Sequence, residues 1–328
     1  MYNKFFSHIY VEHEAFGYKS TERILKKFPG SQIIKINHYK DIFCRKHQDF
    51  REQKKSQSLI LAVSGGKGIY KGAGVCQDFG NEYFYYCSNI KNCIYDCEYC
   101  YLQGMYNSGN IVIFVDLENI FKELEKLLQV HPVYLCISYD TDLPALDGVT
   151  GFLDEWADFA DKYDNLSIEV RTKSGIIVDN EKWIKNFIFA WTISPQYIIS
   201  MHESGTASLD ARIKSVNTVL KQGGRMHLCF DPVIYCEDFE IVYGEMFDSV
   251  FESIDTSKVE GVSLGTFRIS KSYMKNMRKQ RISPVTAFPY QCINGVYSYD
   301  NNLNNSILNF ALNRIKEYFD DSKIFIMD

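Results

Sequence analysis

From about residue 83 onward, short runs of consecutive apolar residues alternate with stretches whose apolar positions recur every three or four residues. The runs are YFYYCS, VYLCISY, LSIEVRT, FIFAWTIS, MHLCFDPV and VEGVSLGTF. Parallel strands covered on both faces read as nearly continuous apolar segments, so each run predicts a buried strand. The intervening stretches predict helices near 117–129, 151–163, 180–186, 208–222, 238–253 and 270–280. Six strand–helix units imply a parallel sheet with right-handed crossovers, and the fold class is α/β, a partial (β/α)6 barrel. A doubly wound sheet would fit the same rhythm. Either way the active site is expected at the C-terminal ends of the strands.

The flanks follow other patterns. Before the barrel, IYVEHEAF predicts a strand and turn, Ser20 to Leu25 a capped helix, and SQIIKIN a second strand. Residues 46–57 predict a loop or an exposed helix. SLILAVSGGKGIYKGAG predicts a strand and a glycine-rich loop that lacks P-loop spacing. After the barrel, Phe288 to Tyr299 can form a hairpin about Asn294-Gly295. A helix near 304–321 and a strand at KIFIM follow. The expected division is an N-terminal α/β region (1–80), the barrel (81–270), and a C-terminal helix and hairpin extension (271–328).

Composition narrows the function. The 328 residues are 46% hydrophobic and 23% charged, an ordinary globular balance. A formal net charge of -5 disfavours attachment to nucleic acid by bulk charge and leaves room only for a local basic surface. The N-terminus lacks a secretory signal pattern, and no stretch approaches the roughly 18 apolar residues of a membrane span. A cytoplasmic location without membrane attachment is expected. In that compartment ten cysteines point to metal binding or chemistry rather than disulfides.

Three of those cysteines stand close together. Cys93, Cys97 and Cys100 form a C-x3-C-x2-C run just after the first barrel strand. Soft thiolates suit zinc or iron–sulfur clusters. A structural zinc site needs a fourth ligand, which Cys87 could supply. The spacing and its place in the chain resemble the radical S-adenosylmethionine (SAM) enzymes. That resemblance implies that the cysteines bind three irons of a [4Fe-4S] cluster, whose fourth iron is left for the amino and carboxylate groups of SAM. One electron to the sulfonium then yields a 5′-deoxyadenosyl radical, with the protein setting geometry and potential. Tyr101, following the last cysteine, is part of the superfamily pattern.

A narrower resemblance covers about residues 58–270. CEYCYLQG, the run Gly205-Thr206-Ala207-Ser208-Leu209-Asp210-Ala211-Arg212-Ile213 and Asp231-Pro232-Val233-Ile234-Tyr235 are together similar to the spore photoproduct lyase family. The resemblance implies repair of the ultraviolet-induced thymine–thymine adduct in DNA. Hydrogen abstraction from its methylene bridge leads to fragmentation, and a hydrogen is then returned to the product radical. It makes Cys93, Cys97 and Cys100 cluster ligands and Thr141, Lys173, Ser194 and Asp231 SAM-pocket residues. Tyr99 and Tyr101 become hydrogen-relay residues beside SAM. It also implies an electron donor such as ferredoxin or flavodoxin, and a lesion extruded from the duplex.

Two departures from the family stand out. Tyr139 occupies the position where the family has a hydrogen-donating cysteine. Strand alternation is expected to place Cys136 on the face opposite Tyr139, as a core thiol. Cys76 is therefore a second candidate donor, and Cys229 reads as a buried small hydrophobe. The hairpin about Asn294-Gly295 also carries no Lys or Arg, unlike the family's basic one. Lys271, Lys275, Arg278 and Lys279, tilting towards Arg281, form the nearest basic face, which would meet phosphates or simply solvent. Arg268, at a strand end, is a stronger phosphate candidate, and His202 could meet substrate. Trp156 and Trp183 read as packing residues. The alternatives are a relative acting on another substrate and a structural metal module.

Overall fold

A computed structural model describes residues 6–72 and 76–327. The last residues of the glycine-rich stretch, Ala73 and Gly74, lie outside them. All six expected barrel strands form: β1 Phe84–Cys87, β2 Val133–Cys136, β3 Leu166–Thr172, β4 Phe187–Thr192, β5 Arg225–Val233 and β6 Gly261–Thr266. They are parallel and bonded in chain order, the winding of a barrel rather than of a doubly wound sheet. The sheet stays open. Ile324–Met327 extends it in parallel beyond β6, and Ile69–Lys71 closes the other side antiparallel to β1.

The apolar runs form strands because both faces are covered. Every residue of β4 and of β6 is buried. Leu135, Ile168, Val170, Phe187, Phe189, Leu228 and Leu264 pack with helix residues such as Ile120, Trp156, Val216 and Phe247. The alternate positions form a separate cluster, free of barrel-helix residues, on the inner face: Phe84, Tyr134, Cys136, Ile188, Ala190 and Cys229, joined by Cys76 and Phe79. Trp156 is fully buried, and Trp183 is buried with its indole N–H donating to Asp154 Oδ1 at 2.8 Å, as expected of packing residues.

The N-terminal region forms its own sheet, in the order Gln32–Ile36, His8–Glu12, Leu59–Ala62, Ile111–Phe114, Ile90–Lys91. The last two strands come from beyond residue 80, so the two sheets are interleaved along the chain. Ile111–Phe114 was hidden in the sequence between the cysteine loop and the following helix.

Two helices differ from the periodicity. The one expected near 151–163 is a pair, Leu143–Thr150 and Phe152–Ala160, broken at Gly151, whose φ of 63° favours glycine. A short helix, Gln196–His202, follows β4. The hairpin forms as expected. Gln291–Ile293 pairs with Val296–Ser298 about Asn294 (φ 50°) and Gly295 (φ 81°), the left-handed pair that a tight hairpin turn needs.

Leu135 is fully buried at the centre of β2. Leu135→Ala is expected to cost about 2–5 kcal/mol, because the cavity cannot collapse fully. Urea unfolding followed by circular dichroism checks this; a loss below about 1 kcal/mol would contradict the packing described.

Candidate active site

The cysteine loop leaves the end of β1 and is held from three sides. In front of it, Asp96–Cys97 pairs antiparallel with Glu203–Ser204, setting Cys97 against Glu203. Glu98 N donates to His202 O at 2.8 Å, and His202 Nδ1 lies 2.9 Å from Glu98 Oε2. Behind it, Gln57 Nε2 donates to Cys93 O at 3.1 Å, and Lys54 Nζ donates to Cys93 O and to Tyr95 O, the latter at 2.9 Å. On the third side, the turn Leu102–Met105 lies against the helix Lys271–Gln280. A Cβ on Gly104 would come within 2.5 Å of Tyr273 Cβ, so only glycine permits the approach. Asn276 Nδ2 donates to Gly104 O at 2.9 Å, and Arg281 pairs with Asp96.

Cys93, Cys97 and Cys100 line one cleft, together with Lys54, Tyr95, Asp96 and Gln103. Burial pushes the Cys93 thiol up to about 11 and raises Cys97 and Cys100 as well. Without a metal these groups stay protonated; a metal holds them as thiolates. Burial also lowers the Lys54 ammonium, against the thiols and Asp96 beside it. Cys87 lies in β1 and does not line the cleft. Among the described residues no three His, Cys, Asp or Glu side chains close around a single ion. The donor set could hold a group that gives each thiolate its own metal.

Beside the cleft lies a buried polar network. The Glu203 carboxylate accepts from Tyr99 Oη, from Ser194 Oγ at 2.8 Å and from Thr206 Oγ1 at 3.3 Å, and it pairs with Arg212. Arg212 is fully buried and also donates to Ala207 O and Thr192 O, each at 3.0 Å. Burial opposes the Glu203 charge, but Arg212 and Lys173 outweigh it and hold the carboxyl below its usual range. Lys173 Nζ sits 5.6 Å from the Tyr99 ring centre, without an ion pair among the described residues. Its backbone N–H donates to Asp142 Oδ2 at 2.7 Å, and Thr172 Oγ1 donates to Asp142 Oδ1 at 2.8 Å. The Thr141 hydroxyl is buried with no partner, which suits a polar ligand.

The remaining candidates gather at the barrel mouth. Cys76 Sγ and Tyr139 Oη are 2.8 Å apart. Tyr101 Oη donates to Tyr139 O at 2.9 Å and to Asp140 Oδ1 at 3.3 Å. Asp140 also accepts from Ser88 Oγ at 2.6 Å and Tyr106 Oη at 3.2 Å. The Cys76 segment is anchored from within the barrel, where Arg171 donates to Gln77 O and the Phe79 ring stacks on His227 at 3.8 Å.

Several expectations need correction. Cys136 does not face away from Tyr139. It lies in the inner cluster that Tyr139 packs against, because β2 ends at Cys136 and strand alternation does not carry on to Tyr139. Asp231 offers no free oxygen pair to a cofactor: Arg268 holds it with two bonds, of 2.8 and 3.0 Å, and that bidentate pair engages the expected phosphate contact. His202 is buried and clamps the cysteine loop instead of facing substrate. Lys271, Lys275, Arg278 and Lys279 are exposed, but Arg281 turns inward to Asp96. Sequence reasoning assigned no role to Lys54, Asp140, Asp142, Glu203 or Arg212. Arg212 carried a signal within the Gly205–Ile213 run, and Asp142 one within the stretch VYLCISYDTDLPALD.

Comparison with known proteins agrees with this architecture. Residues 5–326 match the family described as Spore photoproduct lyase. The spore photoproduct lyase of Geobacillus sp. (strain Y412MC61) is 24% identical over 178 residues, which are 52% of this chain and 51% of that protein, so the match spans about half of the relative's length. The solved structure of spore photoproduct lyase complexed with dinucleoside spore photoproduct superposes with a TM-score of 0.82 at 19% identity, over 98% of each chain. A double mutant of spore photoproduct lyase with bound AdoMet and dinucleoside spore photoproduct gives 0.80 at 20% identity, again over 98% of each.

Replacing Glu203 would leave Arg212 buried without its counter-charge. Glu203→Gln is therefore expected to destabilise the fold by about 3–5 kcal/mol. Chemical denaturation measures this, and an unchanged midpoint would show that the pair does not clamp the loop.

Proposed function

The chain belongs to the spore photoproduct lyase family, and from that premise we propose that it is a radical SAM lyase that repairs the thymine–thymine spore photoproduct in DNA. The observation that carries this reading is the continuous contact from the cysteine loop to a thiol: Tyr101 to the Tyr139 carbonyl, and Tyr139 Oη to Cys76 Sγ.

In this reading Cys93, Cys97 and Cys100 hold a [4Fe-4S] cluster. Thr141, Lys173 and Ser194 bind SAM, supported by the unpaired Thr141 hydroxyl and the unpaired Lys173 ammonium. When bound, the two cofactors supply the radical that removes a hydrogen atom from the lesion. Tyr99 is fixed by Glu203 beside Lys173 and shapes the wall of the SAM pocket. Cys76 S–H gives a hydrogen atom to the thymine-centred product radical. Tyr139 O–H, at hydrogen-bond distance, passes its hydrogen atom to the resulting thiyl, one electron from the external donor and a solvent proton restore the tyrosine, and Tyr101 keeps Tyr139 in place. The tyrosine next to Cys76 takes the place of the cysteine the family carries there. Asp231 serves Arg268 rather than SAM. The exposed basic face of Lys271–Gln280 engages DNA phosphates.

Electrons come from a ferredoxin or flavodoxin in a reducing, cytoplasmic setting. Among the described residues no helix is long and apolar enough to cross a membrane. A second reading, a relative acting on another substrate, is favoured by one feature: the hairpin tip exposes Ile293 and Val296 and offers no cation.

The test is anaerobic reconstitution with iron and sulfide. Incubation with SAM, dithionite and an oligonucleotide carrying spore photoproduct follows, read by chromatography. Wild type is expected to restore thymines and release 5′-deoxyadenosine, and Cys97→Ala to do neither. 5′-Deoxyadenosine without restored thymines would move the substrate elsewhere. Cys76→Ala is expected to consume lesion but divert product to side adducts; clean repair by that variant would remove Cys76 from the reaction.

A further inference from the structure

We infer that Lys54 is a built-in counter-charge for an anionic cluster in the Cys93–Cys97–Cys100 cleft, and that it raises the reduction potential of that cluster. The inference rests on the cluster assignment proposed above.

Lys54 belongs to the N-terminal region, on the helix Phe50–Lys55 capped by Asp49. Its neighbours Arg51 and Lys55 point to solvent, and Lys55 pairs with Glu52 at 2.6 Å. Lys54 turns the other way and is only 8% exposed. It lines the cleft with the three cysteines, and its ammonium donates to Cys93 O and Tyr95 O, two carbonyls of the loop itself. An ammonium has three donors, so one is left over.

No carboxylate among the described residues pairs with Lys54. The acidic group on the same cleft, Asp96, is engaged by Arg281. A buried ammonium without a counter-ion is strongly disfavoured. An anion in the cleft would supply the missing counter-charge. A four-iron core of charge +2 held by three thiolates is an anion, and reduction adds a further negative charge. A fixed cation beside it stabilises the reduced form more than the oxidised form, so the potential rises. Lys173 approaches from the Tyr99 side, where the Glu203 charge acts on it, whereas Lys54 lines the cleft itself from behind the loop.

The experiment is a redox titration of the reconstituted full-length protein, followed by electron paramagnetic resonance, alongside iron analysis. Wild type is compared with Lys54→Gln, which keeps a donor without the charge, and with Lys54→Arg, which keeps the charge. The expected result is a more negative midpoint for Lys54→Gln and a near wild-type midpoint for Lys54→Arg. Loss of iron in Lys54→Gln alone, with Lys54→Arg fully loaded, supports the same role. Equal midpoints in wild type and Lys54→Gln, or equal loss of cluster in both variants, would overturn it in favour of a plain packing role. Failure of wild type itself to load a cluster would instead overturn the cluster assignment.

Discussion

The Glu203–Arg212 ion pair is the constraint on which the site depends. Both side chains are fully buried, so neither charge tolerates loss of the other. The pair is also not local in effect. Arg212 stands on the helix Leu209–Lys221, between β4 and β5, and Glu203 lies in the short strand that pairs with Cys97. Through Tyr99 and Ser194, the same carboxylate reaches the cysteine loop and the end of β4. Cysteine loop and barrel rim therefore share one electrostatic anchor in a low-dielectric setting, where a well-bonded ion pair enforces geometry more than it adds stability.

Around that anchor, parts distant in sequence converge on the loop. The N-terminal region contributes Lys54 and Gln57, and the C-terminal extension contributes Asn276 and Arg281. Such a loop is preorganised, as the proposed radical chemistry would require, because a misplaced reactive group attacks whatever is nearest. The thiol and tyrosine at the barrel mouth are held by a different set of contacts, rooted in Arg171 and His227. The two halves of the chemistry are fixed independently and meet at Tyr101 and Tyr139.

Much of this was legible in the sequence because barrel strands are covered on both faces and carry a strong, simple signal. The six runs, the hairpin about Asn294-Gly295 and the three-cysteine loop were all readable in that way. Ile111–Phe114 was not: the run from Ile111 to Val115 carries the same continuous apolar signal, but it lies between the cysteine loop and a helix, outside the strand–helix rhythm of the barrel. Alternation misplaced Cys136, because it holds only while the strand lasts. Asp231 and Arg268 read as separate ligand candidates, yet in space they satisfy each other. Lys54 and Glu203 were invisible because a charged residue in a polar stretch reads as solvated. Only packing shows that these two are buried.

In the proposed function, Cys93, Cys97 and Cys100 hold a cluster with an iron left open for SAM. Mössbauer spectroscopy of protein reconstituted with ⁵⁷Fe, recorded with and without SAM, tests it most directly. The expected spectrum is a four-iron signal in which one iron separates from the other three when SAM is added. A spectrum unchanged by SAM, or iron bound as single tetrathiolate centres, would contradict it.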